Sequence, residues 1–276
     1  MSISAKEVKK LRDITGVGMM DCKKALVETD GDVDQAIDLL RKTGQKIAAK
    51  RADREANEGL IVTSSTDDGK TAVLVEVNCE TDFVARNDEF QKFAKGLANK
   101  VLEERPADRD AFLTSTYNSA GTVKDALVQL TGKIGEKIEV RKLVTLSSEE
   151  GSVVSYIHPG SRLAVLVDIN GDGDLLATGR DVAMQVAALN PVATRRDDVP
   201  GDVKEKEMEI AREAAVMDGK PEKIIEKIAT GKLERYYKDH VLLEQPFVKD
   251  SSQTVTQMLE GASAEVSSFV RFALGE

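Results

Sequence analysis

An internal repeat constrains the fold of this chain more than any other feature of its sequence. When the sequence is shifted by 92 positions without gaps, Val73-Leu74-Val75 falls on Val165-Leu166-Val167, and Gly59 falls on Gly151. Self-similarity at a fixed period indicates repeated supersecondary units. Each copy predicts a strand, a turn, a second strand, a loop and a helix, so we expect a duplicated α+β core with small antiparallel sheets. The matched positions beyond the strands are Asn78 and Asn170, Asp82 and Asp174, Ala85 and Ala177, and Leu97 and Leu189.

Each copy also closes with a further helix and a third strand. In the first copy these elements run from Thr122 to Arg141, and in the second from Thr254 to Phe272. The closing segments are offset by about 130 positions rather than 92. The second copy therefore holds an insertion of about forty residues.

The insertion lies between Leu189 and Gln245 and has a helical pattern. It contains two charged helical stretches, residues 204–217 and 222–237, on either side of the turn signal Asp218-Gly219-Lys220-Pro221. The pattern predicts an antiparallel helical hairpin, which we interpret as a coiled-coil or dimerisation module. A hairpin folded back on its own core is the alternative.

The first 55 residues predict a small bundle of three helices. Ser4 and Glu7 have the spacing of a capping box, and Val8, Leu11 and Ile14 follow on one helical face. The run Gly16-Val17-Gly18 breaks this helix, which places Met19 and Met20 in a loop before a second helix capped by Asp21. Asp32 and Gln35 cap the third helix, and Gly44 is expected to stop it. Three short helices of this size resemble a ubiquitin-associated (UBA-like) domain.

These patterns give an α+β fold with four parts. We expect a UBA-like helical domain with a linker helix at 1–55 and a first core subdomain at 56–145. A second core subdomain follows at 146–188 and 245–276, and the helical hairpin is inserted at 189–244.

Composition excludes several classes of function. The formal net charge is -9, which argues against a direct nucleic-acid partner, although residues 41–54 form a basic stretch that could also be a solvated helix face. Apolar runs are too short to span a membrane, and the first residues lack an apolar signal core, so we expect a cytoplasmic location without a membrane partner. With two cysteines, two histidines and no catalytic fingerprint, we expect no catalytic residue, no metal site and no cofactor.

The turn after the second predicted strand is the strongest candidate for a site. Residues 78–87 link an apolar strand to an amphipathic helix, which Asn87 is expected to cap, and place Phe83 beside Asp82. Side chains at such a turn project from a rigid base, so Phe83 could enter a pocket on a partner. The alternative is that Phe83 packs beneath its own helix, since phenylalanine is more often buried than exposed.

Two long motifs then occur in a specific order. The first is Leu11-Arg12 followed by Thr15-Gly16-Val17-Gly18-Met19-Met20-Asp21-Cys22-Lys23-Lys24-Ala25-Leu26, and the second is Glu76-Val77-Asn78-Cys79-Glu80-Thr81-Asp82-Phe83-Val84-Ala85. Together they resemble the signatures of the bacterial translation elongation factor Ts family. The resemblance covers essentially the whole chain and implies a nucleotide-exchange factor for elongation factor Tu, which acts by protein–protein binding and is not an enzyme.

The resemblance also implies which residues contact that partner, in its GDP-bound and nucleotide-free forms. The turn Thr81, Asp82, Phe83 and Val84 would disturb the partner's magnesium environment. Arg12, Met19, Met20, Ile134, Gly135 and His158 match further contact positions, although Pro159 and Gly160 alter the turn after His158. Family members also imply a possible heterotetramer made of two such complexes.

Two other hypotheses stay open from the residues alone. The three-helix bundle could make the chain an adaptor for ubiquitin-like partners. Cys79, beside the Asp82-Phe83 turn, could be a reactive thiol of a redox or small-molecule enzyme, or a small buried apolar residue.

Overall fold

The computed structural model describes residues 3–118 and 121–276 of the chain. The helices are α1 (Ala5–Thr15), α2 (Met19–Glu28), α3 (Val33–Arg51), α4 (Asp82–Ala85), α5 (Asp88–Glu104), α6 (Arg109–Thr114), α7 (Val123–Ile134), α8 (Leu175–Leu189), α9 (Gly201–Met217), α10 (Glu222–His240) and α11 (Val255–Gly261). The strands are β1 (Glu58–Ser65), β2 (Thr71–Cys79), β3 (Thr116–Asn118), β4 (Gly121–Thr122), β5 (Glu139–Ser147), β6 (Ser152–Ile157), β7 (Leu163–Gly171), β8 (Pro246–Phe247), β9 (Asp250–Thr254) and β10 (Ala264–Ala273).

Helices and small antiparallel sheets together confirm the predicted α+β class. The described residues form two compact units. One contains the chain up to Val62 with Val75–Val144 and Leu274–Glu276, and the other contains Thr63–Leu74 with Thr145–Ala273. The division crosses the strands of the first sheet, whose order is β1–β2–β5.

Helices α1 and α3 of the first unit begin at their predicted capping residues. Ser4 and Glu7 make the predicted capping box on α1, and Asp32 accepts a hydrogen bond from the backbone N–H of Gln35 at the start of α3. Gly16 ends α1 in the left-handed conformation. Val8 and Leu11 are buried as expected.

Three details of this bundle differ from the sequence prediction. Helix α2 begins at Met19, with Gly18 as its N-cap, so Met19 and Met20 lie in its first turn rather than in a loop and Asp21 is not the cap. The reason is that the Gly18 carbonyl already accepts the backbone N–H of Cys22. Ile14 is 55% exposed rather than inward-facing.

Gly44 does not stop α3, which continues to Arg51. The glycine serves helix packing instead, since a Cβ on Gly132 of α7 would lie 2.4 Å from the Gly44 Cα atom. The two helices therefore cross backbone to backbone, which only small residues allow.

Helix α5 begins at the predicted cap Asn87. Its apolar face buries Phe90, Ala94, Leu97 and Val101. Strand β2 is buried along its whole length, so the turn that follows it rests on a rigid base.

The second unit repeats this arrangement. Its sheet has the order β10–β7–β6, with β7 antiparallel to both neighbours, and α8 packs on it. Strands β2 and β7 are separated by the predicted 92 positions at both ends. Gly59 and Gly151 also play the same part, because a Cβ would meet the Val77 carbonyl oxygen at 2.2 Å and that of Ile169 at 2.0 Å.

Helices α9 and α10 form the predicted antiparallel hairpin within the second unit. Ala211, Ala215 and Ala229 are buried between them, and Arg212 bonds Glu226 across the pair. Within the described part of the chain, no helix has both the length and the apolar character needed to cross a membrane.

Candidate functional site

Phe83 stands out from the surface of the first unit. Its side chain is 82% exposed, on a helix of one turn that follows β2. Ala85, which points the other way on α4, is buried. The alternative in which Phe83 packs beneath its own helix is therefore wrong. An exposed phenylalanine keeps its apolar surface available for burial against another molecule.

Asp82 lies beside Phe83 with its carboxylate at the surface. The carboxylate is about half exposed and pairs with the Arg86 guanidinium one turn later, at 3.0 Å. An exposed pair at this spacing contributes little stability and is screened by salt. The Asp82 charge is therefore available to a partner at little cost.

Thr81 begins α4 and fixes the turn. Its side-chain oxygen accepts the backbone N–H of Val84, and Val84 itself is partly buried. The Thr81 hydroxyl also donates to Glu136 Oε1 at 2.7 Å, and the Thr81 backbone N–H donates to Glu136 Oε2 at 3.0 Å. The turn that carries Phe83 is thus held by a carboxylate from the segment after α7.

Ile134 and Gly135 end α7 next to that carboxylate. Gly135 has a φ of 85° and ends the helix in the left-handed conformation, with open space where a Cβ would lie. Both residues are partly exposed. The structure therefore brings the predicted contacts Ile134 and Gly135 together with the Thr81–Val84 turn.

Arg12, Met19 and Met20 lie on the N-terminal helices of the same unit and are exposed. Met19 and Met20 are 42% and 63% exposed, so they are surface residues rather than core filler. Gly16, which lies between Arg12 and Met19 in the sequence, is next to the Lys133 side chain of α7. The Lys133 ammonium group also bonds the Glu89 carboxylate at the start of α5. Lys133, near the end of α7, therefore lies between Gly16 of the N-terminal helices and Glu89 of α5.

A pocket of about 340 Å³ opens between the N-terminal helices and α7. Sequence analysis missed it, because it forms only where α3 crosses α7. Its lining is mainly apolar and includes Ile14, Val17, Ile37, Leu40, Ile47 and Gly132.

His158 belongs to the second unit and lies at an exposed turn after β6. Its Nδ1 is 3.0 Å from the Tyr156 hydroxyl, and its carbonyl accepts the backbone N–H of Ser161. Gly160 and Ser161 both have positive φ, a conformation that residues other than glycine rarely adopt.

Cys79 ends β2 and is fully buried. Burial raises the pKa of its thiol to about 12, and the charge of Glu136 adds to the effect. A reactive thiolate needs the opposite environment, so burial and the raised pKa argue against Cys79 as a reactive thiol. Among the residues that the structure describes, no group of three histidine, cysteine or acidic side chains is placed to hold a metal ion.

Sequence analysis also missed the residues that fasten the turn. Glu80 accepts the backbone N–H of Lys137 at 2.7 Å and the guanidinium of Arg51 at 2.7 Å. Glu136 is 55 positions from Thr81, and sequence spacing carries no signal for such a contact. Its position directly after Gly135 is the only hint that the sequence contains.

Comparison with known proteins identifies the family. The family model described as Elongation factor TS matches residues 80–276. The chain belongs to the elongation factor Ts family. Elongation factor Ts of Chloroherpeton thalassium is 48% identical over 99% of both chains, and that of Prosthecochloris aestuarii is 49% identical over 99% of both. Elongation factor Ts of Alkalilimnicola ehrlichii is 49% identical over 100% of this chain and 93% of its own.

Membership of the elongation factor Ts family confirms the resemblance read from the two motifs and assigns the chain to translation elongation. The family model begins at residue 80 and so includes the Asp82-Phe83 turn, Ile134, Gly135 and His158. The N-terminal helices with Arg12 and the two methionines are covered by the full-length relatives.

Proposed function

We propose that this chain is a guanine-nucleotide exchange factor for elongation factor Tu. It binds the GDP-bound and nucleotide-free forms of that partner and promotes release of GDP. It acts by protein–protein binding, without a catalytic residue, a metal or a cofactor of its own. Membership of the elongation factor Ts family supports this proposal.

The observation that carries the mechanism is the 82% exposure of Phe83 on a turn with a rigid base. Phe83 enters an apolar space on the partner's nucleotide-binding domain, and Asp82 brings a carboxylate beside it. Magnesium prefers carboxylate and phosphate oxygens in a near-ideal octahedral arrangement. A new carboxylate and a displaced side chain disturb that arrangement, which weakens the hold on GDP.

The energetics require more than one contact. A factor that does not touch the nucleotide can release it only by favouring a conformation that binds GDP poorly. Each tenfold weakening needs about 1.4 kcal/mol, while full burial of a phenylalanine supplies roughly 1.5 to 3 kcal/mol. The Asp82-Phe83 turn thus accounts for about one or two powers of ten, and the remaining effect comes from a wider interface.

The rest of that interface consists of the other predicted contacts. Thr81 and Val84 flank the inserted pair. Further binding energy comes from contacts made by Arg12, Met19, Met20, Ile134, Gly135 and His158. We propose further that the protein is cytoplasmic, has no direct nucleic-acid partner and can form a heterotetramer made of two complexes with elongation factor Tu.

The test is release of a fluorescent GDP analogue from elongation factor Tu under excess unlabelled GDP. A substoichiometric amount of the wild-type chain should accelerate release. Phe83→Ala should lower the acceleration roughly tenfold to a hundredfold, because it removes the apolar surface that the partner buries. Its midpoint of thermal unfolding should stay the same, since the side chain makes little contact with its own protein.

The matched control is Leu176→Ala, which removes another exposed apolar side chain from the first turn of a helix. This variant should exchange nucleotide at the wild-type rate. If folded wild-type protein gives no acceleration with its cognate partner, the proposed function is wrong. If Phe83→Ala exchanges normally, the role of Phe83 is wrong while the function stands.

A further inference from the structure

Two connecting segments of the first unit are joined by hydrogen bonds to glutamate carboxylates. Glu80 and Thr81 follow β2, and Glu136 and Lys137 follow α7. The Glu80 carboxylate accepts the backbone N–H of Lys137 at 2.7 Å, and the Glu136 carboxylate accepts the backbone N–H of Thr81 at 3.0 Å. The arrangement is reciprocal, because each glutamate accepts a hydrogen bond from the residue that follows the other glutamate. We call these four residues the carboxylate clasp.

The clasp has strong additional bonds. The second oxygen of Glu136 accepts the Thr81 hydroxyl at 2.7 Å, and the second oxygen of Glu80 accepts the Arg51 guanidinium at 2.7 Å. The Glu80 side chain is only 15% exposed. Hydrogen bonds to an ionised carboxylate are about twice as strong as neutral ones, and partial burial reduces competition from water.

The clasp lies between the two candidate contact segments. Asp82 and Phe83 directly follow Thr81, and Ile134 and Gly135 directly precede Glu136. The clasp therefore fixes the position of the inserting turn relative to the end of α7.

The second copy of the repeat provides an internal comparison. Gly173 takes the place of Thr81 there, and a Cβ on Gly173 would lie 2.0 Å from the Ala262 carbonyl oxygen. The connection from α11 to β10 is residues 262–263, whereas the connection from α7 to β5 is residues 135–138. The first copy thus has two additional residues in this connection, and the clasp uses Glu136 and Lys137 from it. Packing of the repeat is achieved without a clasp in one copy, so the fold itself does not require one.

We propose that Glu136 is a positioning residue for nucleotide exchange, acting through the clasp on Phe83. This inference rests on the proposed function. A clasped turn is already ordered before the partner arrives, so docking does not have to order it. Without Glu136, the N-terminal helices and the second unit still bind the partner. Phe83 then enters the apolar space on the partner's nucleotide-binding domain less often.

The experiment compares Glu136→Ala and Glu136→Gln with wild type, with Glu103→Ala as control for loss of an exposed glutamate elsewhere. The rate of GDP release is measured over a range of factor concentrations. Glu136→Ala should lower the maximal rate roughly tenfold, which is the factor that ordering one backbone residue represents. The concentration for half-maximal rate should change less than about twofold, since only the turn and not the rest of the interface is altered. Glu136→Gln keeps one acceptor oxygen and should lie between Glu136→Ala and wild type.

Two further measurements exclude a merely structural effect. In the Phe83→Ala background, Glu136→Ala should cause little additional loss, because its effect passes through Phe83. In the free protein, the Thr81 amide should exchange with deuterium faster in Glu136→Ala, whatever the partner does. Additive losses in the double variant, or a Glu136→Ala rate equal to that of Glu103→Ala, would overturn the inference. A failure of the wild-type chain to release GDP would instead overturn the proposed function, so the two failures are distinguishable.

Discussion

Cys79 and Phe83 are four residues apart and lie in opposite environments. Cys79 ends a strand that is buried on both faces, whereas Phe83 lies on the outer side of the one-turn helix that follows. The change from strand to helix between them reverses which side chains face the core. The buried thiol makes the base of the site chemically inert, and the exposed aromatic ring makes its outer surface apolar.

The inertness of Cys79 can be measured. At pH 8 we expect iodoacetamide to alkylate Cys79 at least a hundredfold more slowly in the folded protein than in urea, as followed by mass spectrometry of the peptides. Burial raises the pKa of the thiol from 9.0 to about 12, which makes the reactive thiolate scarce, and the sulfur is inaccessible. Equal rates in both states would contradict this environment.

The same pKa shift sets a direction for alkaline stability. The folded protein holds the Cys79 proton more tightly than the unfolded chain does, so this contribution to stability is complete below pH 9 and is lost as pH rises toward 12.

At the scale of elements, local signals in the sequence locate most of the predicted helix starts, and Asp21 is the exception. Ser4, Asp32 and Asn87 were predicted caps, and each accepts a backbone N–H in the structure. Gly44 shows where such signals fail. A glycine after an amphipathic run is typical of a helix end, but here it meets Gly132 from a helix that is distant in the sequence. Contacts between distant segments decide such cases, and spacing along the chain does not contain them.

The crossing of α3 and α7 can be tested at Gly132. Gly132→Ala places a Cβ 2.4 Å from the Gly44 Cα atom, so the helices must separate or the backbone must shift. We expect a loss of about 1 to 3 kcal/mol in the free energy of unfolding, measured by urea denaturation.

Gly231→Ala is the matched control, because Gly231 lies within α10 with open space where a Cβ would point. That change should stabilise the protein by about 0.5 to 1 kcal/mol, as expected for replacing glycine within a helix. A Gly132→Ala variant as stable as Gly231→Ala would show that α3 and α7 have no close crossing.

At the scale of the whole molecule, the chain contains one fold twice and the candidate site once. The repeat was visible in the sequence because apolar strand residues and close-packed glycines recur 92 positions apart in both copies. The difference between the copies was visible only in part. At the offset of 92 positions Phe83 aligns with Leu175. The sequence does not show that Leu175 packs on the core of its unit or that Glu136 bonds Thr81.

This difference predicts that a phenylalanine in the second copy cannot replace Phe83 in promoting GDP release. Leu175→Phe or Leu176→Phe, each introduced into Phe83→Ala, should leave GDP release as slow as in Phe83→Ala alone. A ring at 175 points toward a packed core, and a ring at 176 is exposed, as Leu176 is at 72%, but stands on a helix start without a clasp. Each double variant is compared with Phe83→Ala in the release assay, after its folding is checked by circular dichroism. Recovery of more than about threefold would show that an exposed aromatic ring alone suffices, and that its position in the first copy is not what couples binding to nucleotide release.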